Sequence, residues 1–466
     1  MRKLTAFLLA TGFLLAMVSF TFTSCTKTGP QGPAGANGKD GTNGQDANQT
    51  CKLCHSPTKV DSIAVEFQLA KHSWGTVSFE EAGNVGCTPC HAQEAFVYVC
   101  KNHIPSTFSL INGKWNNDYA TIASDALGAI TCFTCHDQLH TTYGYSDITA
   151  FTNIAPVSMT MWGGAKTIDL QQDGAKSNLC VKCHQPRPLT LTFGSPSGRL
   201  FPYDTLLNQK SMVMWDSTTG AKNKFVRPSY RMHIHYGAVG AIFAGMGAIE
   251  YTGGTGGLVY GNSKHTSVAS CPDCHMAPKT GIAGGHAFNV RNSKETALGS
   301  GTTWNFNGCN VTGCHGDDPL SATHAKFANT RTTVKGLLDA LATDINAIGG
   351  GHDILHKDPD GTTNLWAGVA TGNQDGYLDI YDASANPNGY WRNPSDNSAV
   401  NMAKPKFPSL TMLQTGAIIN FQMCLREYSL GIHNTEYVTA LLTNTALELN
   451  AAALTDRGVS NNNSGR

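Results

Sequence analysis

The 466-residue chain carries 15 cysteines and 17 histidines, and their spacing is far from even. Five times it reads Cys-x-x-Cys-His: Cys51/Cys54/His55, Cys87/Cys90/His91, Cys132/Cys135/His136, Cys180/Cys183/His184 and Cys271/Cys274/His275. Two thiols at that separation add across the two vinyl groups of one haem, and the histidine that follows reaches its iron from one side. Structural zinc or a redox disulfide would use the same cysteine pairs, but neither needs the histidine. At this histidine content, five chance coincidences would arise in about one sequence in ten million. The motifs are therefore read as covalent haem c sites with His55, His91, His136, His184 and His275 as proximal iron ligands. A sixth segment, Cys309 to Cys314 and His315, keeps the Cys-His ending with four residues between its cysteines. It is read as a sixth haem site in preference to a plain disulfide.

Eleven histidines remain outside the motifs: His72, His103, His140, His233, His235, His265, His286, His324, His352, His356 and His433. That is more than enough to close the second face of every iron. Val60, Ile63, Ala64 and Phe67 fall at helical spacing and predict a helix that carries the chain to His72, a natural place for a second ligand. The plainer alternative is a surface histidine. His140 lies four residues beyond His136, too near to reach the far side of the same haem, and is expected on a neighbouring iron. The long gap from His184 to Cys271 holds His233 and His235 in RMHIHYG, either of which would serve, and then His265. His286 sits in GGHAF, a loop open enough for approach to a flat cofactor. Cys100 and His103 are given no role in ligation.

The elements that must position these groups are only partly legible. Hydrophobic residues are 41% and charged residues 14%, with 49 glycines. That balance predicts a mainly α chain with extensive coil and little β-sheet, its core built around covalent haems that stand in for missing side chains. Val334, Leu337, Leu338, Leu341, Ile345 and Ile348 form one helical stripe, and Leu410, Leu413, Ala417, Phe421 and Leu425 another. His433 falls in a glycine-containing break before a further helix that Asn434 can cap and that would bury Tyr437, Ala440 and Leu441. The polar stretch 351–405 includes Asn373, Asp375, Gly376 and Asp382 at calcium-loop offsets, with Thr371 where an aspartate should open the loop. A calcium ion and a tight Asx-rich turn both fit that pattern, and the turn is preferred.

The N-terminus speaks to location. Arg2 and Lys3 precede an apolar run, Leu4 to Phe22, that ends at Thr23-Ser24-Cys25, a secretory signal with Cys25 as a lipidation site. Phe22 stands where an aliphatic residue is usual, and ordinary cleavage or an uncleaved membrane helix are the alternatives. From Gly29 to Asp46 glycine recurs every third residue, the collagen pattern. Its few triplets suggest an extended stalk spanning roughly 55 Å. The expected organisation is a signal peptide at 1–24, anchor and linker at 25–50, a multihaem domain at 51–320, a helical ligand-supplying part at 321–455 and a disordered tail at 456–466. Export also permits a Cys100–Cys424 disulfide, the alternative being two buried, inert thiols. The net charge is zero, which argues against nucleic acid as a partner.

The motifs, the HYG, SKHTS, CHM and GGHAF succession at 235–288 and SLGIHN at 429–434 resemble bacterial multihaem c-type cytochromes over roughly residues 48–450. The stalk behind a lipidated cysteine is similar to exported multihaem lipoproteins of Bacteroidetes-like bacteria. The resemblance implies low-spin haems with two histidine ligands and marks His235, His265, His286 and His433 as distal ligands. The function expected is electron transfer across or outside the cell envelope, from an outer-membrane anchor on the periplasmic or cell-surface side. Its partners would be other cytochromes or a quinol-oxidising complex. Two alternatives stay open: a reductase of a small nitrogen or sulfur oxyanion with one open haem, and a subunit of a polymeric filament. No Cys-x-x-Cys-Lys site is present, which removes the ligand signature of ammonia-forming nitrite reductases.

Overall fold

The longest helices lie in the C-terminal third, where the apolar stripes of the sequence fall. A computed structural model describes residues 55–75, 78, 81, 86–106, 108–111, 114–117, 127–136, 138–139, 141, 148–189, 201–216, 232–291, 304–349, 355–357, 374–378 and 408–456, without 153, 172, 173, 175, 233 and 236. The expected signal segment, Cys25, the glycine-repeat stalk, Cys51, Cys54, His140, His233, Asn373, Asp382 and the tail beyond 456 lie outside the described residues.

The described chain is mainly helical with little sheet. In order, its helices are α1 (Ser62–Leu69), α2 (Thr88–His91), α3 (Gln93–Lys101), α4 (Cys132–Cys135), α5 (Lys176–Val181), α6 (Tyr203–Asn208), α7 (Val239–Ala244), α8 (His265–Val268), α9 (Cys271–His275), α10 (Leu320–Ala347), α11 (Met412–Leu425) and α12 (Thr435–Asp456). The strands pair antiparallel in twos: Phe108–Ile111 with Lys114–Asn117, Val157–Ser158 with Thr167–Ile168, Val213–Trp215 with Leu410–Thr411, and Leu355–Lys357 with Gln374–Leu378. The last pair takes in Asp375 and Gly376 of the calcium-like stretch.

Helix α11 is the axis of the C-terminal part. A capping box starts it: Thr411 Oγ1 accepts from the Gln414 amide at 3.2 Å, and the Thr411 amide donates to Gln414 Oε1 at 2.8 Å. The sequence suggested one apolar stripe, but nearly every residue of α11 is buried, because α10, α12 and α6 all pack around it. Helix α10 buries a single face, with Val334, Leu338, Leu341 and Ile345 inward. Asn434 caps α12 by accepting from the Tyr437 amide at 3.3 Å.

A side-chain core is present in its own right. It joins α10, α11 and α12 to residues from Val157 to Tyr251. Cys51–Arg466 is accordingly one compact unit. Cys424 belongs to this core, whereas Cys100 packs with Phe96 and Ile154 in a separate cluster. Both are buried and neither is in a disulfide. The disulfide that the sequence permitted between them is not formed.

Buried polar groups on α11 fasten the segment 232–249 along it. Asn420 imitates a strand edge, accepting from the Ile249 amide at 2.9 Å and donating to the Ile249 carbonyl at 2.8 Å and to Thr445 Oγ1 at 2.9 Å. Gln422 donates to the Met232 carbonyl at 3.0 Å and Arg426 to the His235 carbonyl at 3.3 Å. Asn420→Ala would leave the buried amide and carbonyl of Ile249 without these partners. At about 1–3 kcal/mol for each stranded group, thermal or denaturant unfolding should show a loss of at least about 2 kcal/mol.

Candidate metal centres

The attachment motifs occupy short helices and turns with little room to vary. In three of them the histidine amide closes on the carbonyl of the first cysteine: His91 to Cys87 at 3.1 Å, His136 to Cys132 at 3.0 Å and His184 to Cys180 at 3.0 Å. At α9, Ser270 and Asp273 form a capping box that starts the motif helix at Cys271. The stretched motif closes the same way. The His315 amide donates to the Cys309 carbonyl at 3.0 Å, and the two extra residues are taken up in a turn where Gly313 is left-handed at φ 89. Six residues thus reproduce the ending that four give elsewhere.

Each of five motif histidines faces a histidine from outside the motifs. Ring centroids are 6.0 Å apart for His184 and His72, 6.2 Å for His91 and His235, and 6.2 Å for His136 and His286. They are 6.2 Å apart for His315 and His265, and 6.1 Å for His275 and His433. The interplanar angles separate three crossed pairs, at 75°, 84° and 73°, from two flatter ones at 36° and 23°. His235 has a left-handed backbone, φ 71, and its ring faces His91, while His233 lies outside the described residues.

Hydrogen bonds fix which ring nitrogen is available. Nδ1 of His265 lies 3.0 Å from the Ile432 carbonyl, and Nδ1 of His275 lies 2.8 Å from the Phe288 carbonyl. A carbonyl can only accept, so in both rings Nδ1 carries the proton and Nε2 offers a lone pair. His315 Nδ1 lies 3.0 Å from Asp318 and His433 Nδ1 lies 2.6 Å from Glu427, so each Nδ1 donates to a carboxylate; burial alone would lower the pKa of His433, but the hydrogen bond to Glu427 and its charge raise it. Burial lowers the pKa of His72, His91, His136, His275 and His286. His184 is pushed down to about 4 by burial and by the nearby rings of His72, His275 and His433. Neutral imidazoles are the form a metal requires. His72 is exposed to solvent by area yet crowded enough for this shift, as a ring at the wall of an open slot would be. Burial also raises the thiols, Cys87 and Cys135 to about 11 and Cys274 to about 12.

The sites adjoin one another. Cys90 Sγ lies 3.3 Å from the Lys182 carbonyl, and Cys183 Sγ lies 3.7 Å from the Cys90 carbonyl. Helix α5 packs on α9, and the Cys271 amide donates to Ser177 Oγ at 3.0 Å. Cys274 is close enough to Cys309 and Cys314 to interact electrostatically, and Cys135 to Cys183. Phe288 is a shared post: its ring lies 5.1 Å from His72 and 6.0 Å from His286, while its carbonyl holds His275. The sites at Cys87, Cys180, Cys271 and Cys309 therefore form a row, with the Cys132 site beside Cys180.

His55 is described and exposed, but Cys51, Cys54 and His140 are not described, so that site cannot be assembled here. His324 stacks on Phe306 at 4.1 Å and joins none of the pairs above. Sequence reasoning did not find Glu427, Asp318 or Glu66, which accepts from the His286 amide at 3.1 Å. Each is a single acidic residue with no spacing rule to the ring it serves. No protein-family model, curated protein or solved structure matches the chain.

Gly240 locks α7 to the Cys180 motif. Its amide donates to the His184 carbonyl at 3.0 Å, and a Cβ there would lie 2.6 Å from that oxygen and 2.9 Å from Val181 Cγ1. Gly240→Ala should cost about 1–3 kcal/mol by overpacking, read as a lower unfolding midpoint.

Proposed function

We propose that the chain is an exported c-type cytochrome with six covalent haems, closed on both faces by histidine, that carries electrons. The observation behind this reading is the set of five ring pairs. Aromatic side chains do meet at 4.5–7 Å as ordinary packing, and one such pair would mean little. Here every pair joins a motif histidine to a non-motif one, and all five fall within 6.0–6.2 Å. Two imidazoles bound on opposite sides of one metal at about 2 Å each would have centroids about 6.3 Å apart. Among the described residues no cluster of three or more His, Cys, Asp or Glu side chains could hold a bare ion. Two axial nitrogens per site suit a metal whose other four donors come from a porphyrin. The closing hydrogen bond of the stretched motif supports the sixth site on the same terms.

Bound haem would supply one-electron chemistry at an iron that keeps both ligands in either oxidation state. The polypeptide would hold the two rings of each pair from separate segments, and at His265, His275, His315 and His433 it engages Nδ1 in a hydrogen bond, which leaves Nε2 for the metal. The row of adjoining sites gives electrons a continuous route, and the buried Cys180 site is its junction. Residues 1–50 support a lipid-anchored, exported placement with other redox proteins as partners. A reductase needs an open iron, and a filament of shared haems needs a histidine donated across subunits. Five motif histidines face a second imidazole within one chain, which supports closed irons at those sites over either alternative.

Intact mass of the purified protein should correspond to six attached haems, and the oxidised protein should give only low-spin electron paramagnetic resonance signals. His235→Ala should turn one haem high-spin and leave the haem count unchanged. A high-spin haem in the wild-type protein that responds to added nitrite or hydroxylamine would favour the reductase instead.

A further inference from the structure

The pairing of His275 with His433 would be complete without a carboxylate, yet one is built into it. Glu427 is fully buried just beyond α11. Its Oε1 accepts from the Ser429 amide at 3.1 Å and the Gly431 amide at 2.8 Å, and its Oε2 from Ser429 Oγ and His433 Nδ1, both at 2.6 Å. Backbone amides can only donate. The His433 amide donates to Ser429 Oγ at 3.0 Å, so the Ser429 hydroxyl proton is directed to Glu427. Both oxygens are thus acceptors, and the group is a carboxylate. The loop that makes this cage is left-handed at Tyr428, Leu430 and Gly431, with φ of 68, 58 and 86. That conformation is costly for the two residues that are not glycine. Arg331 pins the loop by donating to the Ser429 carbonyl at 2.8 Å.

The other described Nδ1 partners are weaker bases or are compensated. His265 and His275 donate to backbone carbonyls. Asp318, beside His315, is partly exposed and shared with Lys326 at 2.7 Å. Only His433 meets a carboxylate wholly removed from water.

Resting on the haem reading above, we propose that Glu427 is a positioning residue that makes the iron between His275 and His433 the hardest of the set to reduce. By drawing on the Nδ1 proton, Glu427 gives the ring imidazolate character and so a stronger bond to the oxidised metal. Its buried charge, which Arg331 also feels, favours the more positive iron. The site adjoins both the Cys180 and the Cys309 sites. Glu427 therefore sets an uphill step within the row, between its exposed Cys309 end and its buried junction.

The test is a potentiometric titration of the full haem-loaded chain, followed by electron paramagnetic resonance, for wild type and Glu427→Gln. The amide oxygen of glutamine can still accept from His433, so ligation is retained while the charge is lost. The lowest-potential component alone should shift upward by at least a tenfold change in its oxidised-to-reduced ratio, 59 mV for one electron. An unchanged lowest component, or an equal shift of all components, would overturn the proposal. A second readout needs only wild-type protein. Near-parallel rings give a rhombic signal and crossed rings a strongly anisotropic one, and the His275–His433 pair is the flattest at 23°. The last signal to vanish on reduction must then be rhombic, and a strongly anisotropic one in that place would also refute the assignment. Haem count by mass on the same samples tells the two failures apart: missing haems would count against the cytochrome reading, and full loading with the wrong potentials against Glu427 alone.

Discussion

Imidazole nitrogens on opposite sides of one metal must be held about 4 Å apart along a common line, given bonds of about 2 Å. No single short segment does this here. Each of the five pairs takes its rings from segments far apart in sequence, His72 with His184 and His275 with His433 among them. Bringing such segments together carries a loop-closure cost and must be offset by packing elsewhere. The apolar core of α10, α11 and α12 with residues 157–251 is where that packing lies, and the buried amides of Asn420 and Gln422 transmit its order to the loop that carries His235.

The division of labour is clear in the helices. Those of the motifs are four to six residues long, too short to be stable alone. Helix α1 has no buried side chain; Ile63, Val65 and Leu69 are exposed along it and Val60 just before it. Such apolar surface beside His72 is what a haem plate would cover on the proposed reading, while the long C-terminal helices fold around side chains. Strain collects where rings must be aimed: His235, Leu430 and Phe288 all adopt left-handed backbone beside a ligand pair.

Much of this was legible in the sequence. The Cys-x-x-Cys-His units announce themselves because covalent chemistry fixes their spacing, and the stripe at Val334, Leu338, Leu341 and Ile345 announces α10. His72 stands out at a helix end, His286 and His433 in glycine-containing loops and His265 just ahead of Cys271, but their partners do not, since pairing is a matter of tertiary contact. The all-round burial of α11 escaped for the same reason: periodicity reveals one apolar face and not how many neighbours surround a helix. Glu427 was invisible because a carboxylate six residues from a histidine is ordinary until a loop folds it back.

The central claim is that each ring pair brackets one iron. The most direct measurement is an anomalous-difference map at the iron edge from crystals of the haem-loaded protein. The account predicts a peak midway between the rings of His72 and His184, His91 and His235, His136 and His286, His265 and His315, and His275 and His433. Iron bound to a motif histidine but opposite some other residue, or no iron between any of these pairs, would contradict it.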